Sequence, residues 1–470
     1  MAVFERARTT ALRRRGFSSA RASLDRSVNF LGAAAALAYG IMALSSYALT
    51  PALWDPAYSP QATAFFKQLY GEQYFDALRA FFGGPLAAVI SHFIPLSIAS
   101  AAAIALIVMI GRRPRRASDR TARLLLRWSF VFAALGFFAY PIFTQDFWLS
   151  AVWGKMSASG VNPYYQTFTS ETVGALPLDH FPMTMSYGPL WALISGLVMG
   201  VAGGSVLAAG LLFKVVLAGA WCGSLILTDR ILAAHAPSGR ALGLAVAGWL
   251  PLGVWQTVAE GHNDVVMVFP ALLWLFLLLQ KRLAAPAALA ASMLCKYTTL
   301  PLFLVDFVHC LRARRLGLRD YAARLLVPGI IAVAVTAVFY RSFAFFDGTR
   351  LVNNWHFMQP ADAYAAADAA LGGWLPPLGQ AIEMVFPIIA IRQGFLYWRE
   401  PNNESLLRLT LAAMCAVSFA AISHLWTWYL LWTLLFAALV PGWWLSRFIV
   451  GFALLMPFSA IVWWVPEARA

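Results

Sequence analysis

Asp146 stands where an apolar run gives way to a polar one, in Thr144-Gln145-Asp146-Phe147-Trp148. A carboxylate at such a boundary is costly to keep dry and is usually there for chemistry or transport. Its chemistry would be that of a general base, taking the proton of a hydroxyl as the oxygen attacks. A displaced anion would need cations or N–H donors to receive it. Lys296, His262, Arg341 and Lys155 are the candidates for that second task. Trp148, Asn162, Tyr164, Tyr187, Glu260, Asn263, Asp264, His356 and His424 stand with them at the ends of apolar runs. Asp179, His180 and Arg350 share that setting, and the set could line a substrate site.

Each residue also has a plainer reading. Asp146 could be a surface carboxylate at a helix end. Lys155 lies nine residues further on, roughly across a helix from Asp146, and could hold phosphate or snorkel. Asn162-Pro163-Tyr164-Tyr165 is a turn signal, and its tyrosines could be interface anchors. Glu260-Gly261-His262-Asn263-Asp264 could be a polar turn that caps the next helix. Lys296, inside an apolar stretch, needs an anion partner, which a structural acid or a lipid phosphate would supply. Arg341 and Arg350 could be ordinary helix-end arginines, and His424 a packed histidine in an aromatic belt. His262 and Asp264 lack a third ligand at metal-site spacing, and the external segments hold no Asp-x-Asp pair, so no metal and no other cofactor is expected.

The elements that must position these residues are helices in a membrane. The chain of 470 residues is 61% hydrophobic and 12% charged, about half the charged share of a soluble domain. Apolar windows long enough to cross a bilayer include 30–47, 85–110, 206–227, 325–340 and 448–464. The alternation expected of a β-barrel is missing. The net charge of +14 does not point to nucleic acid, because it is gathered in blocks between spans. These are Arg6–Arg26, Arg112–Arg127 and Arg312–Arg324, a positive-inside pattern that puts all three in the cytoplasm. The first block is a basic tail, 1–27, without the apolar core and cleavage site of a targeting peptide. The four cysteines sit in apolar runs and read as packing residues.

The expected fold is all-α: one polytopic domain over 28–470, a bundle of roughly 13 transmembrane helices with no large soluble domain and no internal repeat. External segments fall near 51–84, 144–187 and 342–374. The first should carry amphipathic surface helices over 64–70 and 74–82. The stretch opened by Tyr187-Gly188-Pro189-Leu190 should be re-entrant or interfacial. The run 241–258 reads as one span, and 284–294 with 298–311 as a hairpin broken at Lys296. The polar mixture collects at the external ends, which puts the site on the extracytoplasmic side.

The pieces Asp146-Phe147-Trp148, Gly160-Val161-Asn162-Pro163-Tyr164, Tyr187-Gly188-Pro189-Leu190, Gly261-His262-Asn263-Asp264, the Lys296 hairpin and Trp428-Tyr429-Leu430-Leu431-Trp432 occur in an order that resembles the glycosyltransferase C superfamily. The resemblance is to its polyprenyl-phosphate-sugar-dependent branch, nearest the bacterial alpha-mannosyltransferases of lipoglycan assembly. It implies a GT-C-like helical bundle and transfer of a hexose, mannose first, from a polyprenyl-phosphate donor to a glycan or glycolipid acceptor. It implies inversion at the anomeric carbon with Asp146 as base, and no metal. Two or three spans precede Asp146 where many relatives have one, which leaves the acceptor open. The partners expected are donor, acceptor and membrane lipids, in a bacterial inner membrane. A transporter or flippase of a lipid-linked sugar is the alternative, distinguished by movement of intact donor across a vesicle. A non-catalytic scaffold is the third reading, in which Asp146, His262 and Lys296 could be replaced singly without effect.

Overall fold

The computed structural model describes residues 23–47, 73, 85–112, 117–142, 144–174, 176, 178, 183–339, 372–373, 375–419 and 427–458. Among these there are helices and turns and no strand. Among the described residues, four helices are long and apolar enough to cross a membrane: α1 (Ser23–Tyr47), most of α2 (Pro85–Arg112), α6 (Val206–His235) and α11 (Leu318–Phe339). A bent pair, Pro237–Trp249 and Pro251–Ala259, makes a fifth if counted as one span. These are the helices of a membrane protein.

The apolar windows over 30–47, 85–110, 206–227 and 325–340 coincide with these helices. Among the described residues, length identifies four or five of the roughly 13 expected spans, and much of the remaining apolar sequence forms helices of 10–17 residues. The run 241–258 is not one straight span. It is α7 (Arg240–Trp249), a break at Leu250-Pro251, and a π-turn, Trp255–Ala259, with a 49° bend between the halves. Proline removes an N–H and clashes with the preceding turn, which explains the break. The stretch after Tyr187 is α5 (Pro189–Ala202), whose 14 residues span only about 21 Å, short of a ~30 Å hydrocarbon core. Gly203 and Gly204, both left-handed, stop it. The expected surface helices over 64–70 and 74–82 and the segment 342–374 fall, apart from 372–373, outside the described residues.

The site is framed by α3 (Asp119–Phe137), α4 (Asp146–Ala158), α8 (Asp264–Leu279), α9 (Ala285–Cys295) and α10 (Pro301–Arg312). Helix α4 lies against α5, α8 against both α6 and α9, and α7 against α3 and a later helix, α14 (Leu431–Leu439). Between α11 and α14 run α12 (Leu375–Arg399) and α13 (Asn403–Phe419), packed on each other. Trp148, Trp153, Trp191, Trp221, Trp249, Trp255 and Trp274 are fully buried among these helices. Helix α4 can approach α5 closely because Gly154 abuts the Ser195 carbonyl, where a Cβ would come within 2.4 Å. At the other end, Arg240 fixes three helices: it donates to both oxygens of Asp229 on α6, at 2.7 and 2.9 Å, and to Asp119 on α3 at 2.8 Å.

Candidate active site

Asp146 is the first residue of α4 and Asp264 the first of α8. Both carboxylates therefore sit at helix N-termini, where unpaired N–H groups and the helix dipole favour an anion. Asp146 is 28% exposed and Asp264 only 1%.

Two glycines bring the flanking segments together. Gly261 has φ +82° and lies on the Phe147 ring, where a Cβ would come within 2.3 Å. That contact draws the Glu260–Asn263 turn onto the start of α4 and sets His262 Nδ1 3.4 Å from Asp146 Oδ2. Gly188 donates its N–H to the Cys295 carbonyl at 2.9 Å, and a Cβ there would come within 2.1 Å of the Leu294 carbonyl. This approach fastens the Tyr187 segment to the end of α9, directly before Lys296. Lys296 itself is extended (φ −159°, ψ 129°), so its side chain leaves the helical path at the break between α9 and α10.

The result is one connected cluster. Tyr187 donates its hydroxyl to Asp146 Oδ2 at 3.1 Å. Its ring lies 5.2 Å from the Lys296 ammonium, which also faces Tyr429 at 5.4 Å and Trp432 at 5.0 Å. Such faces attract a cation. Lys296 donates to Asp264 Oδ1 at 2.6 Å, and Trp432 Nε1 donates to the same oxygen. An ammonium has three N–H groups, and the hydrogen bond to Asp264 uses one of those on Lys296. His262, 1% exposed, stacks on Trp428 with centroids 4.0 Å apart. Among the described residues, His262 Nε2, Asn263 Oδ1 and Gln145 Oε1 are buried without a hydrogen-bond partner.

Burial of Asp146 works against its ionisation. The contacts with His262, the charge of Lys296 and the Tyr187 hydroxyl outweigh it and hold the carboxyl below its ordinary value. Burial first, and the Asp146 charge second, push the Tyr187 phenol well above its ordinary value, so it remains a donor.

The other candidates divide into supports and residues placed elsewhere. Tyr164 donates its hydroxyl to the Tyr187 carbonyl at 2.8 Å, and Asn162 accepts from the Tyr164 N–H at 3.0 Å while donating to the Phe339 carbonyl. Both hold the Tyr187 segment rather than presenting free polar atoms. Trp148 is buried and donates to the Tyr140 hydroxyl at 3.2 Å, so it packs behind Asp146. Glu260 is wholly buried, with one oxygen on the Ile142 N–H and the other on Trp255 Nε1, each at 2.9 Å. Those bonds fix the turn, and the carboxylate is not open to a substrate. Lys155 donates to the Thr172 carbonyl at 2.7 Å near the far end of α4, about 13 Å from Asp146 along the helix, and is not brought into the cluster. Asp179, His180, Arg341, Arg350, His356 and His424 lie outside the described residues.

Three further groups belong here beyond the candidate site residues named from the sequence, two of them inside the motif Trp428-Tyr429-Leu430-Leu431-Trp432. Tyr429 and Trp432 form the aromatic faces around Lys296 together with Tyr187, and their spacing of three residues was a visible helical signal. Lys214, the one lysine inside the apolar run of α6, donates to the Val258 and Ala259 carbonyls and so clamps the π-turn that delivers His262. Among the described residues, no three His, Cys, Asp or Glu side chains gather as a metal-binding group.

The arrangement offers an ionised oxygen beside unmet polar atoms, with a caged cation across one tyrosine. It can take a proton from a hydroxyl and receive an anion alongside. A family model described as MptA_B family, alpha-(1->6)-mannopyranosyltransferase, N-terminal domain, matches residues 32–314, more than half of the chain. No match is found among curated proteins or among solved structures.

Proposed function

The chain belongs to the MptA_B family of alpha-(1->6)-mannopyranosyltransferases, and from that premise we propose that it is a membrane mannosyltransferase with Asp146 as its general base. Glycosyl transfer, with mannose as the sugar, is the activity the family match supports. The donor, in this proposal, is a polyprenyl-phosphate-linked mannose. The acceptor is a hydroxyl of a glycan or glycolipid at the extracytoplasmic face, and the family's 1→6 description makes a primary hydroxyl the first choice.

The Asp146 carboxylate accepts the acceptor's proton as the acceptor oxygen attacks the anomeric carbon. The bond from that carbon to the phosphate oxygen breaks, and a polyprenyl phosphate leaves. Attack from the opposite face inverts the centre, so an α product requires a β-configured donor. The leaving phosphate takes its hydrogen bonds from the two N–H groups of Lys296 not given to Asp264, and His262 supplies a further nitrogen. The residues holding that machinery are Tyr187, set between Asp146 and Lys296, and Asp264, which anchors the ammonium.

The observation that carries this reading is the Asp146–Tyr187–Lys296 connection: base and phosphate-binding cation meet through one side chain. His262, Asn263 and Gln145, with buried polar atoms unmet, fit a polyhydroxylated ligand. Asp146→Asn tests it. The variant should keep the fold, read as a cooperative unfolding transition with at most a modest drop in Tm in detergent, and lose transfer by about 100-fold or more. Transfer at the wild-type rate would remove Asp146 from the role.

A further inference from the structure

A second buried polar cluster lies at the opposite end of α10, between α8, α10, α11 and α12. Trp274 Nε1 donates to Asp306 Oδ1 at 2.9 Å. His309 Nδ1 is 2.6 Å from the Tyr397 hydroxyl. Arg324, from α11, points Nη1 at the Cys310 sulfur, 2.6 Å away. Helix α10 has 12 residues and is about 18 Å long. Lys296 precedes its start and Arg314 follows its end, so the cluster is remote from Asp146 and plays no part in the chemistry proposed there.

The guanidiniums of this cluster are short of acceptors. Sulfur is a weak acceptor, yet it is the partner Arg324 has at Nη1. Among the described residues, Arg324 Nε and Nη2 and Arg314 Nη1 are all buried with no hydrogen-bond partner. Buried charged donors in native proteins are satisfied with few exceptions. Lys281 adds a third cation, since its charge bears on the His309 ring together with those of Arg314 and Arg324. Against these three stands, among the described residues, one carboxylate whose charge bears on the cluster, Asp306, with one oxygen accepting from Trp274 and the other from the Cys310 thiol. Cations thus outnumber anions around donors that point inward with nothing to hold.

We propose that Arg314 and Arg324, with Lys281 nearby, bind a phosphate-type oxyanion. A guanidinium fork matches the oxygens of a phosphate in spacing and plane, and three unpartnered nitrogens from two arginines, which carry five N–H groups between them, suit one tetrahedral anion. The phosphate is that of an anionic phospholipid headgroup or a soluble one. The first has a ready source, because Arg314 and Arg324 belong to a basic block of the kind that faces anionic lipid.

The test uses the full chain in nanodiscs. Discs of phosphatidylcholine alone are compared with discs containing phosphatidylglycerol, and with phosphatidylcholine discs given inorganic phosphate against chloride at matched ionic strength. Wild-type protein should gain about 2 °C or more in Tm from at least one phosphate source. Arg314→Gln and Arg324→Gln should each lose that gain. Arg315→Gln, which removes the same charge at an exposed neighbouring position, should keep it. A gain with phosphatidylglycerol alone assigns the site to a lipid headgroup, and a gain with inorganic phosphate assigns it to a soluble oxyanion. No gain from either source overturns the proposal. So does an equal gain in Arg314→Gln, the variant that leaves the Cys310 and Asp306 contacts in place.

Discussion

Tyr187 gives its hydroxyl to Asp146 at 3.1 Å and its ring face to Lys296 at 5.2 Å. One side chain thereby joins the carboxylate of α4 to the ammonium at the break between α9 and α10. The two charges are kept apart by an aromatic ring rather than collapsed into an ion pair. Asp146 is left able to accept a proton, and Lys296 able to meet an anion. Asp264 makes this possible by taking one N–H of the lysine at 2.6 Å.

Tyr187→Phe tests the first half of that arrangement. The carboxyl of Asp146 lies below its ordinary 3.8 despite burial, partly because Tyr187 donates to it. A carboxyl depressed by folding is ionised above its lowered value, and its stabilising contribution is lost as pH falls through that value. Removing the donor raises the value, so the acid limb of transfer should move to higher pH in the variant. Transfer at neutral pH should fall by about tenfold as the carboxylate loses a fixed bond. An acid limb that stays in place would detach Tyr187 from Asp146.

Lys296→Gln and Asp264→Asn test the second half. Asp264 is 1% exposed, and removing its cation strands a buried charge, at a cost of about 3–5 kcal/mol. The double variant removes both charges and should recover most of that loss in a denaturation series. Transfer should stay low in the double variant, because no ammonium remains to receive phosphate. Recovery of transfer along with stability would make the pair purely structural.

Gly188→Ala should break the same link through the backbone. Its Cβ would meet the Leu294 carbonyl at 2.1 Å, so Tyr187 or the end of α9 must shift, at about 1–3 kcal/mol. Transfer should fall more than stability explains, because Tyr187 moves away from Lys296. Gly200→Ala, one turn from the end of α5 with nothing within 4 Å, is the control and should be neutral in both readings.

Much of this cluster was legible in the chain, for a physical reason. Asp146, Tyr187, His262, Asp264 and Lys296 are polar or aromatic groups at breaks in apolar runs, where a charge needs a purpose. What sequence could not tell was which polar groups face a ligand and which face the protein. Glu260 and Asn162 looked like substrate contacts, yet their partners are a main-chain N–H near Asp146 and a carbonyl at the end of α11, fixed only by tertiary packing. Lys214 escaped notice although a lone lysine in an apolar helix carries the same signal as Lys296. The helix pattern shows a different limit. Hydropathy reads the run 241–258 as one apolar span, whereas the 49° bend comes at Leu250-Pro251, a proline effect that a hydropathy window does not register.

Lys155→Ala separates proximity in sequence from proximity in space. Asp146 and Lys155 share one helix and one polar segment, which made the lysine a candidate for phosphate. In the fold its ammonium is committed to the Thr172 carbonyl at 2.7 Å, beside a small cavity lined by Ser159, Leu176 and Met199. Tyr187, His262 and Lys296 all converge on the other end of α4. Losing the lysine should loosen the Ser170–Val173 turn by about 1 kcal/mol, seen as a modest drop in Tm. KM for the donor should change by less than about twofold, against a large rise for Lys296→Gln. A donor KM that rises equally in both variants would place the phosphate between them and move the proposed site away from the Tyr187 ring.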